Sequence, residues 1–285
     1  MTAISLRSSP IVRYAGLARR NIGVSICVAV IVVVALAAIA APVIAPYSPS
    51  AIDLEHVLSG PSPQHLLGTD NLGRDIVSRL IWGARSSLLG PLLVTVIATI
   101  AATSLALTAA WRGGIVDQLI SSAFDVSLSF PGILLAIGAV AVFGVGLTAP
   151  VIALGIAYTP YVGRVARGAA LRERRLAYVD ALVVQGSSGL RTTLRHILPN
   201  VGPLILAQAT LAFGWATIDL AAISFLGLGE QPPSPDWGLT VSQSEPQILN
   251  HQPAQALYPG IALVLVVVSV TMLGRRLAQH SEELA

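Results

Sequence analysis

Lysine is missing from this chain: all 17 basic residues are arginine. A Gly-x-x-x-x-Gly-Lys-Ser/Thr loop needs that lysine to reach nucleotide phosphates, so no such ATP-binding loop exists here. Cysteine occurs once, at Cys27 inside an apolar run, which excludes an internal disulfide and a multi-thiolate metal site. A small residue facing lipid or a neighbouring helix is the simpler role for it. Charge is scarce as well, at 11% against about a quarter in soluble domains. None of the 5 histidines falls inside an apolar run. His56, His65 and His251 lie in polar outer stretches, and His196 and His280 lie in stretches assigned to the inner face. Their spacing is unclustered, so they read as solvated side chains. No catalytic set, bound cofactor or metal site is expected in the chain.

What remains is apolar: 54% of residues, with mean hydropathy +0.75. The expectation is an all-α polytopic membrane protein. In 285 residues, six spans of about twenty residues each fill under half the chain and leave no room for a second globular domain. Apolar stretches long enough to cross fall near 22–46, 87–110, 119–143, 147–163, 204–228 and 256–273. The first is too long for a signal-peptide core and lacks a convincing cleavage site, so it reads as a retained helix. The fourth ends at Tyr158-Thr159-Pro160-Tyr161, where a helix can kink and continue to Ala166.

Arginine placement orients the spans. With the N-terminus inside, Arg7, Arg13, Arg19, Arg20, Arg112, Arg164, Arg167, Arg172, Arg174, Arg175, Arg191, Arg195, Arg275 and Arg276 face the cytoplasm, and only Arg74, Arg79 and Arg85 face out. Both termini are then cytoplasmic. The expected layout is a cytoplasmic segment 1–21, a membrane domain 22–274 and a cytoplasmic tail 275–285. Within the domain lie an outer loop 47–85, an inner loop 167–203 and a second outer loop 229–255. The outer loops are rich in turn-forming residues. Trp82, Trp111 and Trp237 sit where interfacial anchors belong, whereas Trp215 falls inside the fifth span as a packing residue.

The inner loop carries the strongest pattern. Leu176, Val179, Val183 and Ala177, Ala181, Val184 recur at helical spacing. Gln185-Gly186-Ser187-Ser188-Gly189 stops that short helix, because Gly186 can adopt the left-handed conformation that closes one. Leu190 to Leu198 resumes helical character before Pro199-Asn200. An amphipathic helix resting on headgroups is the plain alternative. The stripe, however, has small knobs beside one carboxylate and lacks the bulky density of a lipid anchor, which suits a protein groove.

Asp180-Ala181-Leu182, three residues, Gly186, and then Leu198-Pro199 resemble the "EAA" loop of ABC-importer membrane subunits. Asp180 stands where that pattern has Glu, and Leu182 where it has a second Ala, which shortens the carboxylate's reach and enlarges one knob. Two further segments resemble the C-type permease of dipeptide, oligopeptide and nickel importers. They are His65-Leu66-Leu67-Gly68-Thr69-Asp70-Asn71-Leu72-Gly73-Arg74-Asp75, continuing through Ile76-Val77-Ser78-Arg79-Leu80 with Gly83-Ala84-Arg85-Ser86-Ser87-Leu88, and Ser224-Phe225-Leu226-Gly227-Leu228-Gly229, the latter continuing through Pro232-Pro233 to Asp236-Trp237-Gly238. Phe130-Pro131-Gly132 and Tyr258-Pro259-Gly260 also match, and the likeness spans roughly residues 20 to 275.

The resemblance implies a type I ABC-importer permease fold in a bacterial cytoplasmic membrane. It also implies a second, related permease, two cytoplasmic ATPases (or a fused one) holding ATP and Mg, and an external solute-binding protein. Lipid surrounds the chain and no nucleic acid is involved. The cargo implied is a di- or oligopeptide, with a nickel chelate or haem as the alternatives. ATPase coupling would fall to Tyr178, Asp180, Ala181, Leu182, Gly186, Leu198 and Pro199.

Asp70, Arg74 and Asp75 are candidates either for ordering the outer loop or for contacting substrate, and together with Trp237 for docking the binding protein. Asp125 and Asp219 are carboxylates within apolar spans, costly there, and are candidates for a pathway or subunit interface unless they cap or pair within the bundle. An ion-gradient transporter using Asp219 or Asp125 as proton carrier is the rival from another class, but no half-repeat is evident. An intramembrane enzyme lacks its catalytic residues.

Overall fold

Hydrocarbon offers backbone amides no partner, so a chain this apolar must cross it as helix. The computed structural model describes residues 22–250 and 252–283. Among these there is no strand beyond one isolated bridge between Thr69 and Asp75. The N-terminal segment 1–21 with its four arginines, His251 and residues 284–285 lie outside the described residues.

The long helices are α1 (Ile22–Ile44), α2 (Ile76–Arg112), α3 (Gly114–Leu128), α4 (Gly132–Phe143) and α5 (Thr148–Arg174). The inner loop forms α6 (Ala177–Val184) and α7 (Gly189–Thr192), and a π turn over Thr193–Ile197 leads into α8 (Leu198–Phe225). Two short helices, α9 (Trp237–Gln243) and α10 (Glu245–Leu249), precede α11 (Ala254–Glu283).

By length and composition, 4 helices among the described residues can cross a membrane: α1, α2, the run Gly189–Phe225 and the Ala254–Gln279 part of α11. The expected single span over 119–143 is instead two helices, α3 and α4, bent by 81°, and together they make a fifth candidate. The cause lies in Pro131, which lacks an amide donor and pushes Phe130 out of helical geometry. The 27-residue α5 rises about 40 Å, enough to cross, but its arginines dilute its hydropathy. It runs through Pro160 and past Ala166 to Arg174.

Other boundaries shift too. Residues 76–85 of the expected outer loop are the first turns of α2. They start there because the Asp75 side chain caps the helix, accepting from the Ser78 amide at 2.7 Å. The second outer loop holds α9 and α10, and the expected tail continues α11. Residues 167–174 of the inner loop belong to α5.

Helices in lipid gain little from hydrophobicity alone, so close approach decides their packing. Along α2, Ala98, Ala102, Ala106 and Ala110 recur every fourth residue and are buried against α5 and α8, where Val162, Ala166, Ala170, Val201 and Ile205 face them. Glycine extends this contact: a Cβ on Gly163 of α5 would stand 2.5 Å from Phe124 of α3. A third cluster joins Ala38, Ala84, Val266 and Val270 to Trp237 at the start of α9.

Candidate functional site

The short helix α6 closes as the sequence suggests. Gly186 sits at φ +81. The Gly186 amide donates to the Val183 carbonyl at 2.9 Å and the Ser187 amide to the Leu182 carbonyl at 3.0 Å, the paired bonds of a Schellman stop. Ser188 then caps α7. Pro199 occupies the first turn of α8, where its missing donor is not needed.

The loop is braced rather than loose. Glu173 accepts from the Tyr178 hydroxyl and from the Asn200 side-chain amide, each at 2.6 Å, tying α6 to the ends of α5 and α8. The Arg174 guanidinium lies 4.6 Å over the Trp111 ring and reaches Asp180 at 3.5 Å. The Trp111 indole in turn packs on Gly189, where no side chain would fit. Val179 and Ile197 anchor the loop in the bundle.

Of the two apolar stripes read from the sequence, Ala177, Ala181 and Val184 point outward together. In the other, only Val179 is buried. Val184 is 87% exposed and the Asp180 side chain 72%, with Leu190 and Leu194 exposed nearby and Arg172, Arg175, Arg191 and Arg195 around them. The result is a braced, small-knobbed apolar platform with one exposed carboxylate, within reach of Arg174, and a basic rim. Glu173 and Asn200 escaped the sequence reading, because their role depends on the loop folding back across 27 residues.

The outer loops have the opposite character. Asp70, Arg74, Asp75 and Trp237 are all buried. Asp70 accepts from Arg74 Nε at 2.6 Å and from the amides of Leu72 and Arg74. Trp237 donates from its indole to the Leu80 carbonyl at 3.0 Å and from its amide to Ser87 Oγ at 2.9 Å. This geometry orders the loops and leaves none of the four side chains presented to a docking partner.

Arg79, which the sequence marks only as an outer arginine, is the knot. Its guanidinium donates to the carbonyls of Pro49, Pro233 and Ser234 and to Thr240 Oγ1, joining both outer loops. The sequence offers no signal for this beyond a second arginine five residues after Arg74.

The two membrane carboxylates differ. Asp125 pairs with Arg164, with both side chains more than half exposed. Asp117, which the sequence reading passed over, holds Arg167 through two bonds of 2.5 and 2.6 Å, so α3 is tied to α5 twice. Asp219 instead accepts from the Tyr158 hydroxyl at 2.8 Å.

The histidines need correction. His65 is buried, with Nδ1 3.0 Å from Asp75, rather than solvated. It is not isolated either: the ligating atoms of Asp53, His56 and His65 lie within 4.8 Å of one another. His56 and Asp53 are already bonded at 2.9 Å, and that bond holds the Asp53 carboxyl below its ordinary pKa.

Residues 102–283 match the family described as the binding-protein-dependent transport system inner membrane component, and residues 18–61 match the N-terminal TM domain of oligopeptide transport permease C. The chain is 41% identical to the dipeptide transport system permease protein DppC of Alkalihalophilus pseudofirmus, over 84% of this chain and 78% of that one. It is 39% identical to the di/tripeptide transport system permease protein DppC of Pseudomonas aeruginosa, over 83% and 80% respectively. Against the glutathione transport system permease protein GsiD of Escherichia coli the identity is 37%, over 86% and 80%. Among solved structures, an inward-facing conformation of the MetNI methionine ABC transporter aligns with TM-score 0.57 at 18% identity, covering 71% of this chain and 96% of that one, a likeness of fold.

Proposed function

This chain belongs to the family of binding-protein-dependent transport system inner membrane components, as a permease subunit of an ABC importer, and we propose that its cargo is a short peptide. The cargo assignment rests on the relatives named for dipeptide, di/tripeptide and glutathione transport. A second, related permease completes the path. Separate ATPase subunits supply the energy, with ATP and Mg on them, and an external binding protein delivers the peptide. Both termini face the cytoplasm.

The observation that carries the coupling assignment is the platform on α6, braced from behind and exposed in front. A rigid strut transmits displacement whereas a floppy loop absorbs it. The Glu173–Tyr178–Asn200 clamp and the Trp111–Arg174 stack join α6 to the inner ends of α2, α5 and α8. When the ATPases close, a knob seated in one of them carries α6 along, and the attached helices swing between inward and outward openings. Asp180 would add a charge-assisted hydrogen bond to the docked partner, worth about 1.5–3 kcal/mol.

The test is peptide uptake and ATP hydrolysis by the reconstituted importer. Asp180→Arg and Gly186→Pro should cut peptide-stimulated ATP hydrolysis and uptake at least about tenfold, and weaken ATPase copurification, while both variants still insert in the membrane. Unchanged coupled uptake in both variants would remove α6 from the ATPase contact.

A further inference from the structure

Asp219 is a membrane carboxylate with no arginine in ion-pair range among the described residues, unlike Asp117 and Asp125. A carboxylate within an apolar helix is costly unless something meets it. From Asp219 to the end of α8 at Phe225 the helix rises about 9 Å, so the group lies below the helix end. One oxygen, Oδ2, accepts from the Tyr158 hydroxyl, and Oδ1 is left without a bond among the described residues.

The surroundings are aromatic. Trp215, one turn before Asp219 on α8, lies 6.4 Å from the Tyr158 ring in stacked geometry and 5.9 Å from the Tyr161 ring edge-on. Tyr161 and Trp215 are 42% and 41% exposed, so this face is open in the isolated chain. A carboxylate with one free oxygen, bonded through the other to Tyr158, whose ring packs with two further electron-rich rings, attracts a compact cation bearing N–H donors. It repels anions. A single carboxylate also supplies too few oxygens for a hard metal ion.

We propose that Asp219, with Trp215, Tyr158 and Tyr161, forms a subsite in the translocation path that takes the α-ammonium group of the passing peptide, an inference resting on the peptide-permease reading above. The ammonium donates to Oδ1 and lies against the rings, while the Tyr158 hydroxyl holds the carboxylate in place. The contact compensates Asp219 during passage, and being single it releases readily.

The test is retention of radiolabelled Ala-Ala and N-acetyl-Ala-Ala on the complete detergent-purified importer, measured without the binding protein so that its own selectivity is removed. The wild type should retain Ala-Ala about tenfold better than the acetylated peptide. Asp219→Asn should abolish that preference, Asp219→Glu should restore most of it, and Trp215→Leu should reduce it about threefold. Equal retention of the two peptides by the wild type, including none of either, would overturn the proposal, as would an intact preference in Asp219→Asn. So would an Asp219→Asn complex that sheds the second permease and regains it with Glu, because Asp219 would then be a subunit ion pair. Uptake of Ala-Ala by the importer with its binding protein separates the levels. Uptake without the preference sinks the subsite alone, and no uptake of any peptide sinks the reading beneath it.

Discussion

Arg79 shows how much one side chain can hold when its partners are backbone carbonyls from two distant loops. The planar fork of guanidinium reaches Pro49 and Pro233 with one nitrogen and Ser234 and Thr240 with the other, which a lysine ammonium cannot match. Arg79→Lys keeps the charge yet should leave buried carbonyls unpaired, costing about 1–3 kcal/mol. A lowered thermal midpoint of the purified complex and faster protease nicking within 229–255 are the expected readouts, and an unchanged midpoint would mean water replaces the fork. None of this was legible beforehand, because three of the four partners lie more than 150 residues away. Gly186 was legible, since a glycine after an apolar helical stretch has few other uses, and the +81 φ agrees. A Cβ there would meet nothing within 4 Å, so only the backbone conformation resists substitution. Gly186→Ala should therefore cost about 1–2 kcal/mol and slow coupled uptake mildly, against the severe loss expected of proline.

Among helices, what decides contact is which residues are small. The alanine row on α2 and Gly163 on α5 were visible only as composition until the helices were placed side by side. With a Cβ from Gly163 only 2.5 Å from Phe124, Gly163→Ala forces α3 away from α5 and strains the Asp117–Arg167 and Asp125–Arg164 pairs alongside. Overpacking of this kind costs about 1–3 kcal/mol. The variant should melt several degrees lower in detergent, and Phe124→Leu should recover part of the loss; a melt equal to wild type would mean the ring simply turns aside. The break between α3 and α4 is the opposite lesson. Phe130-Pro131-Gly132 was in plain view, but hydropathy averages across it, so a continuous apolar run concealed a bend of 81°.

At the scale of the molecule, the bend decides the topology. From an outer position after α1 to the inner platform the chain passes through α2, the α3–α4 pair and α5. Three crossings place the two points on opposite faces. If the bent pair enters and leaves on one side, only two crossings remain and the faces coincide, against the arginine distribution. Cys27 is the sole cysteine, buried with Sγ 3.8 Å from Met272, so Cys27→Ser gives a background free of thiols at small structural cost. Single cysteines can then replace Leu66, Phe143 and Val184, which are 65%, 81% and 87% exposed. A membrane-impermeant maleimide applied to intact cells with the outer barrier opened should label positions 66 and 143, and should reach 184 only after the membrane is permeabilised. Label at 66 and not at 143 would make the α3–α4 pair re-entrant. Label at 184 from outside would turn the platform away from any cytoplasmic ATPase, and the arginine count would then have to be read as serving lipid headgroups alone.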